Sequence, residues 1–323
     1  MPCSIVLGAN GQDGSYVAET LLARGHRVVG LGRDAQARHI APSAQYRYVQ
    51  CDLRDTAALN RLLSEVKPDF AFHFAAVHGS AGFQYEPLVA DMFATNVVAL
   101  HSLLEYARCA NDRLRIVYAG SSKIFPSPLT GRIDETTLAR ATCLYSIGKI
   151  AARDLITRYR LDHSIAATNL ILFNHESPRR PASFLLPKIA QGILDALADP
   201  RRKLTVRTLD FWIDWAAADE LAELAVDIAM QLDGHGAEEG EFVLASGTTH
   251  HAREVIHDLF ARYGLDGESR IVEELPRSDP GPAYHVSLDR LERLLGRRPV
   301  KTVAHIVEDM IGAPAARAHD RVN

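Results

Sequence analysis

Tyr145 and Lys149 stand four residues apart in a stretch that reads as helix, so both side chains leave one face and an ammonium can stabilise a phenolate. A phenol tuned in this way can take or return the proton of a substrate hydroxyl. Ser121, just past the apolar run Arg115 to Ala119, is placed to hydrogen-bond the same substrate oxygen. Such a trio serves hydride transfer, which needs a dinucleotide. The start of the chain offers a seat for one: Gly8-x-x-Gly11-x-x-Gly14 follows the short strand Ser4 to Leu7 and opens a helical pattern running from Tyr16 to Arg24. The first glycine permits the tight turn, the second lets backbone amides approach a pyrophosphate, and the third allows the helix to pack closely on the sheet.

Asn10, Gln12 and Asp13 complete this turn and are expected to contact the cofactor with the three glycines. The second strand ends at Gly32-Arg33-Asp34, where enzymes using NAD usually carry an acid for the ribose hydroxyls. Arg33 suits a 2'-phosphate, whereas Asp34 would repel one if it pointed inward. NADP(H) is therefore the expected cofactor and NAD(H) the alternative. Asp52, after the third strand, can accept from the adenine amino group or cap a helix. Leu53 beside it and Ala75, after the fourth strand, join the expected cofactor contacts, as do Tyr145 and Lys149.

Several elements must position these groups. Apolar runs at Arg27 to Leu31, Tyr46 to Gln50, Phe70 to Phe74 and Ser164 to Leu172 alternate with helical patterns at Thr56 to Val66, Asp91 to Ala110 and Tyr145 to Tyr159. That rhythm predicts an α/β fold with a Rossmann-type, doubly wound parallel sheet over residues 1–178. Beyond Pro178 it changes. Helices near Leu185 to Leu197, Ala218 to Gln231, Arg253 to Tyr263 and Leu288 to Leu295, with strands near Leu204 to Val206 and Phe242 to Ala245, predict a smaller α/β substrate lobe over 179–313, part of it returning to the first domain. Residues 314–323 read as a tail.

The 323 residues carry a net charge of -4 with the basic residues scattered, which argues against nucleic acid or a membrane surface as partner. Cys3, Cys51, Cys109 and Cys143 show no metal or redox spacing and are expected as free thiols in the cytoplasm. The apolar stretches look strand-sized and no basic segment precedes Ile5, so neither a signal peptide nor a membrane span is expected. His73, His78, His175, His250 and His251 have no ligand spacing, so no metal is expected. His78, just after Ala75-Ala76, falls where nicotinamide or substrate should lie and could assist proton transfer.

Leu172-Phe-Asn-His-Glu-Ser-Pro-Arg-Arg180 lies at the exit of a buried strand, where open parallel sheets bind ligands, and Asn174 there can donate to a phosphate or hydroxyl or form an Asx turn. With this segment the chain resembles the extended short-chain dehydrogenase/reductases that act on nucleotide sugars, and most closely the GDP-mannose 4,6-dehydratase family. The resemblance rests on Gly8-Ala-Asn-Gly-Gln-Asp-Gly-Ser-Tyr16, Tyr145-Ser-Ile-Gly-Lys149, Leu172 to Arg180, and Phe242-Val-Leu-Ala-Ser-Gly-Thr-Thr-His250 with Arg253-Glu254. It implies a nucleotide-sugar substrate, GDP-linked, and a homodimer built through sheet-flanking helices, or a tetramer. It also implies that Asn174 contacts the substrate pyrophosphate. His78, Ser121, Ser122, Glu176, Arg179 and Lys188 join Asn174 as expected substrate contacts, and Arg277 is the expected pyrophosphate arginine. The match around Ile213-Asp214-Trp215 lacks the family's preceding arginine.

One departure bears on the reaction. The family places a glutamate two residues after the catalytic Ser/Thr to remove the C5 proton, and here that position is Lys123. A lysine with an ordinary pKa near ~10.4 is protonated at neutral pH and cannot abstract that proton unless burial lowers it by several units. Lys123 is thus either a proton carrier in another role or an ion-pair or phosphate contact. Glu176 and Glu135 are the possible surrogates. Gly120-Ser-Ser-Lys-Ile-Phe-Pro126 also resembles the corresponding segment of GDP-fucose synthase and GDP-mannose 3,5-epimerase. The resemblance with this departure implies 4-keto reduction or epimerisation through hydride transfer at C4, with a 4,6-dehydratase using a substituted acid/base, or a GDP-sugar-binding pseudoenzyme, as alternatives.

Overall fold

The computed structural model describes residues 1–80, 82–233 and 240–312; the expected tail, 314–323, lies outside them. The strands are β1 (Cys3–Leu7), β2 (Arg27–Gly32), β3 (Tyr46–Gln50), β4 (Phe70–His73), β5 (Arg115–Ala119), β6 (Gly131–Ile133), β7 (Ala167–Leu172), β8 (Asn174–Glu176), β9 (Leu204–Val206), β10 (Trp212–Ala217), β11 (Glu241–Leu244), β12 (Thr249–His251), β13 (Ile271–Glu273) and β14 (Tyr284–Val286). The helices are α1 (Gln12–Ala23), α2 (Thr56–Val66), α3 (Val89–Phe93), α4 (Ala99–Ala110), α5 (Leu144–His163), α6 (Leu185–Ala198), α7 (Ala218–Gln231), α8 (Ala252–Arg262), α9 (Gly267–Arg270), α10 (Asp289–Leu295) and α11 (Val303–Gly312).

Seven strands form one sheet in the order β11-β7-β5-β4-β1-β2-β3, and every pairing in it is parallel. Alternation along β1 explains the layers. Val6 faces one core with Val17 and Leu21 of α1 and Leu221, Ala225 and Ile228 of α7, while Ile5 and Leu7 face another with Leu59 of α2, Leu100 and Leu103 of α4 and Ile156 of α5. The fold is therefore a doubly wound α/β sheet. Strand β11 and helix α7 return to it from the C-terminal half. A third core, around Trp215, gathers Leu186 and Ile189 of α6, Ile256 and Phe260 of α8, and Ile306 of α11.

Two expectations shift. The strand read from Ser164 begins at Ala167, because α5 runs on to His163 and Ser164 caps it in a left-handed conformation with φ 54°. The apolar stretches are also longer than strand-sized, since the continuous helical run Glu86–Ala110 is long and apolar enough to cross a bilayer. Its apolar face is instead packed on the sheet through Leu100, Leu103, Leu104 and Ala107.

Candidate active site

The glycine turn is built by collision rules. Gly8 has φ +89°, and a Cβ there would come within 2.6 Å of the Ala75 nitrogen; a Cβ on Gly14 would meet the Gly8 oxygen at 2.2 Å. Gly11 N–H donates to Gly8 O at 2.9 Å, which closes the turn. Gly11 is also the N-cap of α1 and brings no side chain to it, so the first amides of the helix face outward as an anion seat. These residues fit a dinucleotide pyrophosphate. Asn10 serves the turn from inside: its Nδ2 donates to Asp34 Oδ2 at 2.8 Å, the Gln36 carbonyl and Tyr48 Oη, and its Oδ1 accepts from Arg38 N–H. Asp34 is further paired with Arg38 at 2.9 Å. The acid that would repel a 2'-phosphate is thereby neutralised, and Arg33 beside it is exposed. Asp52 is less available than expected, because Arg54 holds both of its oxygens at 2.6–3.0 Å, and Leu53 is buried.

Gln12 and Asp13 join the turn to the strand exit at β8. Gln12 Oε1 accepts from Ser177 Oγ at 2.9 Å and its Nε2 donates to the His175 carbonyl at 3.3 Å. Asp13 Oδ1 lies 3.0 Å from His175 Nε2. Burial alone would raise the Asp13 pKa, but the charge of His175 and the Gln12 amide override it and hold the carboxyl at about 2. In return Asp13 keeps His175 above its ordinary value against desolvation. Glu176, on the opposite face of β8, is 4% exposed, and burial pushes it up to about 7 despite Arg180 Nε at 3.3 Å.

Helix α5 starts where Ser146 Oγ accepts from the N–H groups of Thr142 and Cys143, placing Tyr145 in its first turn and Lys149 one turn further. Ser121 interacts with the Tyr145 hydroxyl, and its Oγ also accepts from Lys123 N–H at 3.2 Å. Lys149 makes its hydrogen bonds beneath the sheet and reaches Tyr145 through space. Lys149, 1% exposed, points back under β5 and donates to the Ala119 carbonyl at 2.6 Å and to Tyr118 Oη at 3.1 Å, with its ammonium 5.5 Å from the Tyr145 ring centre. Desolvation therefore raises the Tyr145 pKa above that of a free phenol, with Ser121 opposing, and brings Lys149 down to about 7. Tyr118 Oη–H donates to the Asn96 carbonyl at 2.8 Å. Asn96 sits in a π-helical turn, Ala94–Val98, and its Oδ1 accepts from Val77 N–H, which fixes the loop leaving β4.

That loop carries His78. Its ring stacks on Tyr145 at 4.5 Å, its Nδ1 is 2.6 Å from Tyr85 Oη, and Tyr85 stacks on Tyr145 at 5.7 Å. Arg180 lies over the Phe184 ring at 3.7 Å and acts electrostatically on both His78 and Tyr145. Ser122 opens the short turn after Ser121, while Lys123, Asn174 and Lys188 are exposed.

Two expected substrate arginines have partners within the protein. Arg179 binds α1 through Ser15 Oγ at 2.9 Å and Glu19 at 2.6 Å, with Tyr16 beneath it, and Arg277 makes an exposed ion pair with Glu268. The surrogate Glu135 is committed to the Val243 N–H at 2.9 Å beside Arg290. Sequence reasoning missed Arg180, His175 and Tyr85. Arg180 neighbours the arginine that was chosen, and only the path of the chain after Pro178 decides which of the two faces the cleft. Among the described residues no three His, Cys, Asp or Glu side chains gather as a metal would require.

The family model described as GDP-mannose 4,6 dehydratase matches residues 5–295. A relative from Vibrio cholerae named GDP-mannose 4,6-dehydratase is 31% identical over 271 residues, covering 78% of this chain and 70% of its own length. One from Caenorhabditis elegans, GDP-mannose 4,6 dehydratase 2, is 26% identical over 97% of this chain and 89% of its own. Among solved structures, dTDP-glucose 4,6-dehydratase from Bacillus anthracis in complex with NAD superposes with TM-score 0.79 at 16% identity, over 96% of each chain. UDP-glucose 4-epimerase from Bifidobacterium longum, with NAD+ and UDP, gives TM-score 0.78 at 17% identity, over 96% of this chain and 97% of its own. The structural likenesses speak for the fold, and the sequence match across the nucleotide turn, the Tyr-Lys helix and the β8 segment carries the assignment: the chain belongs to the GDP-mannose 4,6-dehydratase family of nucleotide-sugar enzymes.

Proposed function

We propose that this chain is an NADP(H)-dependent enzyme acting on a GDP-activated hexose by hydride transfer at C4, with 4-keto reduction or epimerisation as the outcome. The observation that carries the reading is the contact of Ser121 with a buried Tyr145, above a buried Lys149 and next to the glycine turn. Tyr145 exchanges the proton of the C4 oxygen, Ser121 holds that oxygen, and the Lys149 ammonium, 5.5 Å from the Tyr145 ring centre, acts on the phenol electrostatically. When bound, the dinucleotide supplies the hydride or takes it up. The neutralised Asp34 and the exposed Arg33 support NADP(H) over NAD(H). The names of the sequence relatives support a GDP-linked sugar.

Reduction or epimerisation is favoured over elimination by Lys123. Removing the C5 proton there would require a buried, neutral amine, and Lys123 is exposed. Dehydration by another group is the second reading, favoured by membership in the family and by the imidazole of His78 against Tyr145. Two incubations test the proposal. GDP-4-keto-6-deoxymannose with NADPH is expected to lose absorbance at 340 nm, and GDP-mannose with NADP is expected to yield no 4-keto-6-deoxy sugar. Release of that sugar from GDP-mannose would establish the second reading instead, and binding without either reaction would leave only a GDP-sugar-binding pseudoenzyme.

A further inference from the structure

We infer that His78, oriented by Tyr85, is a second proton-transfer residue of this site, exchanging the proton on the ring carbon next to a 4-keto group. The inference rests on the proposed reading, in that the sugar oxygen lies at Tyr145. Four observations lead to it.

The imidazole lies on the face of the catalytic phenol, ring centres 4.5 Å apart and planes 30° from parallel, so it flanks any carbon bonded to an oxygen held by Tyr145 and Ser121. Its orientation is fixed. Nδ1 is tied to Tyr85 Oη at 2.6 Å, Tyr85 is itself stacked on Tyr145, and the Phe184 ring centre lies 6.4 Å away. The step requires the tautomer in which Nδ1–H donates to Tyr85 Oη, which leaves the Nε2 lone pair to meet a ligand. The loop is held from below, since Val77 N–H is bonded to the buried Asn96 side chain. Finally, desolvation and the nearby cations Arg180, Lys149 and Lys123 hold the imidazole pKa down, which keeps the ring unprotonated at neutral pH and makes it a weak base whose placement beside the carbon, rather than its basicity, drives the transfer.

The step balances within the protein. Nε2 takes the proton from C3 or C5, the C–H electron pair forms the new carbon–carbon double bond, and the carbonyl pair moves to oxygen as an enolate hydrogen-bonded by Ser121 and Tyr145. Nothing is oxidised or reduced. Return of a proton to the same face regenerates the ketone, and delivery to the other face by a second donor inverts the carbon. Lys123, the exposed ammonium among the cations acting on His78, is chemically suited to be that donor. The arrangement supplies a base where the family's glutamate is replaced.

The test uses GDP-4-keto-6-deoxymannose in D2O, following deuterium entry into the sugar by mass spectrometry and NADPH oxidation separately at 340 nm. Wild type is expected to incorporate deuterium next to the keto carbon. His78→Asn is expected to lower that rate by about 10²–10⁴-fold, and to lower it at least ~30-fold more than it lowers NADPH oxidation. Tyr85→Phe is expected to lower incorporation by about 10-fold, through loss of the hydroxyl that orients the ring. Wild type without incorporation, or equal losses of both rates in His78→Asn, would overturn the inference, the latter meaning that the ring only shapes the cleft. Incorporation that depends on His78 without any NADPH oxidation would sink the hydride-transfer reading and leave the role of His78 standing.

Discussion

Asp13 Oδ1 and His175 Nε2 lie 3.0 Å apart, which ties the first turn of α1 to strand β8 across the cleft between them. Two stretches that looked like independent binding motifs are therefore one structure. The glycine turn seats its helix against His175 and Ser177, and the substrate-side segment takes its path from Gln12 and Asp13. A change on either side is transmitted to the other without a ligand between them.

Asp13→Asn should accordingly weaken both dinucleotide affinity and the fold, the latter by about 1–3 kcal/mol for a largely desolvated charged contact. The pH signature is specific. With a folded value near 2, Asp13 contributes stability that is present above pH 3.8 and lost as pH falls from there toward 2. His175, raised on folding, contributes stability that is complete below its ordinary value of 6.5 and lost as pH rises through its folded value. Urea melts of both proteins at pH 6 and pH 9 check this: the wild-type advantage should shrink at pH 9. An advantage constant across that range would mean that the pair carries no charge coupling.

Most of the large sheet was legible because its strands are buried on both faces and read as apolar runs, as Ile116-Val117-Tyr118-Ala119 does. The glycine turn and the Tyr145–Lys149 spacing were legible for the same reason, being set within one local element. What escaped depends on tertiary path. Strand β6, paired with β14, is too short and too exposed for its pattern to show, whereas the equally short β9 was legible at Leu204 to Val206. Helical spacing gives the face that Lys149 shares with Tyr145 but not its hydrogen bond to the Ala119 carbonyl beneath. Arg179 and Arg180 differ only in which way the turn after Pro178 points them.

Lys149 offers a prediction in which stability and activity diverge. Its pKa is brought down to about 7 from 10.5 by desolvation, so between those values the folded chain binds less proton than the unfolded one. Its contribution to stability therefore becomes more favourable as pH rises through that window. In Lys149→Met this rise should vanish, seen as a difference in Tm between the proteins that moves toward wild type from pH 7 to pH 10. Hydride transfer should fall about 10²–10⁴-fold. A parallel Tm profile would show that the amine titrates as an ordinary lysine.

Cofactor choice should rest on Arg33. Asp34 is already occupied by Asn10 Nδ2 and by Arg38, so it is the neighbouring guanidinium that remains for a 2'-phosphate. Arg33→Ala should raise the KM for NADP(H) about 10–100-fold, the worth of ~1.4–3 kcal/mol, and leave that for NAD(H) within about 3-fold. Equal changes for both dinucleotides would remove Arg33 from the specificity argument.

Under the proposed reading Lys123 separates the outcomes of one redox chemistry, and its surroundings make it open to substitution. The side chain is exposed, and the turn that carries it is held by backbone contacts to Ser121 and Ser122, so replacements there should change stability by no more than about 0.5 kcal/mol. Lys123→Glu puts a carboxylate two residues from Ser121, where elimination from C5 and C6 of a 4-keto intermediate would need its base. The variant should gain release of a 4-keto-6-deoxy sugar from GDP-mannose, whereas Lys123→Gln, which removes the ammonium without adding a base, should not. Product analysis by mass spectrometry separates them. If Lys123→Glu gains nothing while hydride transfer to GDP-4-keto-6-deoxymannose persists, the position is not what withholds dehydration, and the geometry around Tyr145 and His78 must be setting the outcome instead.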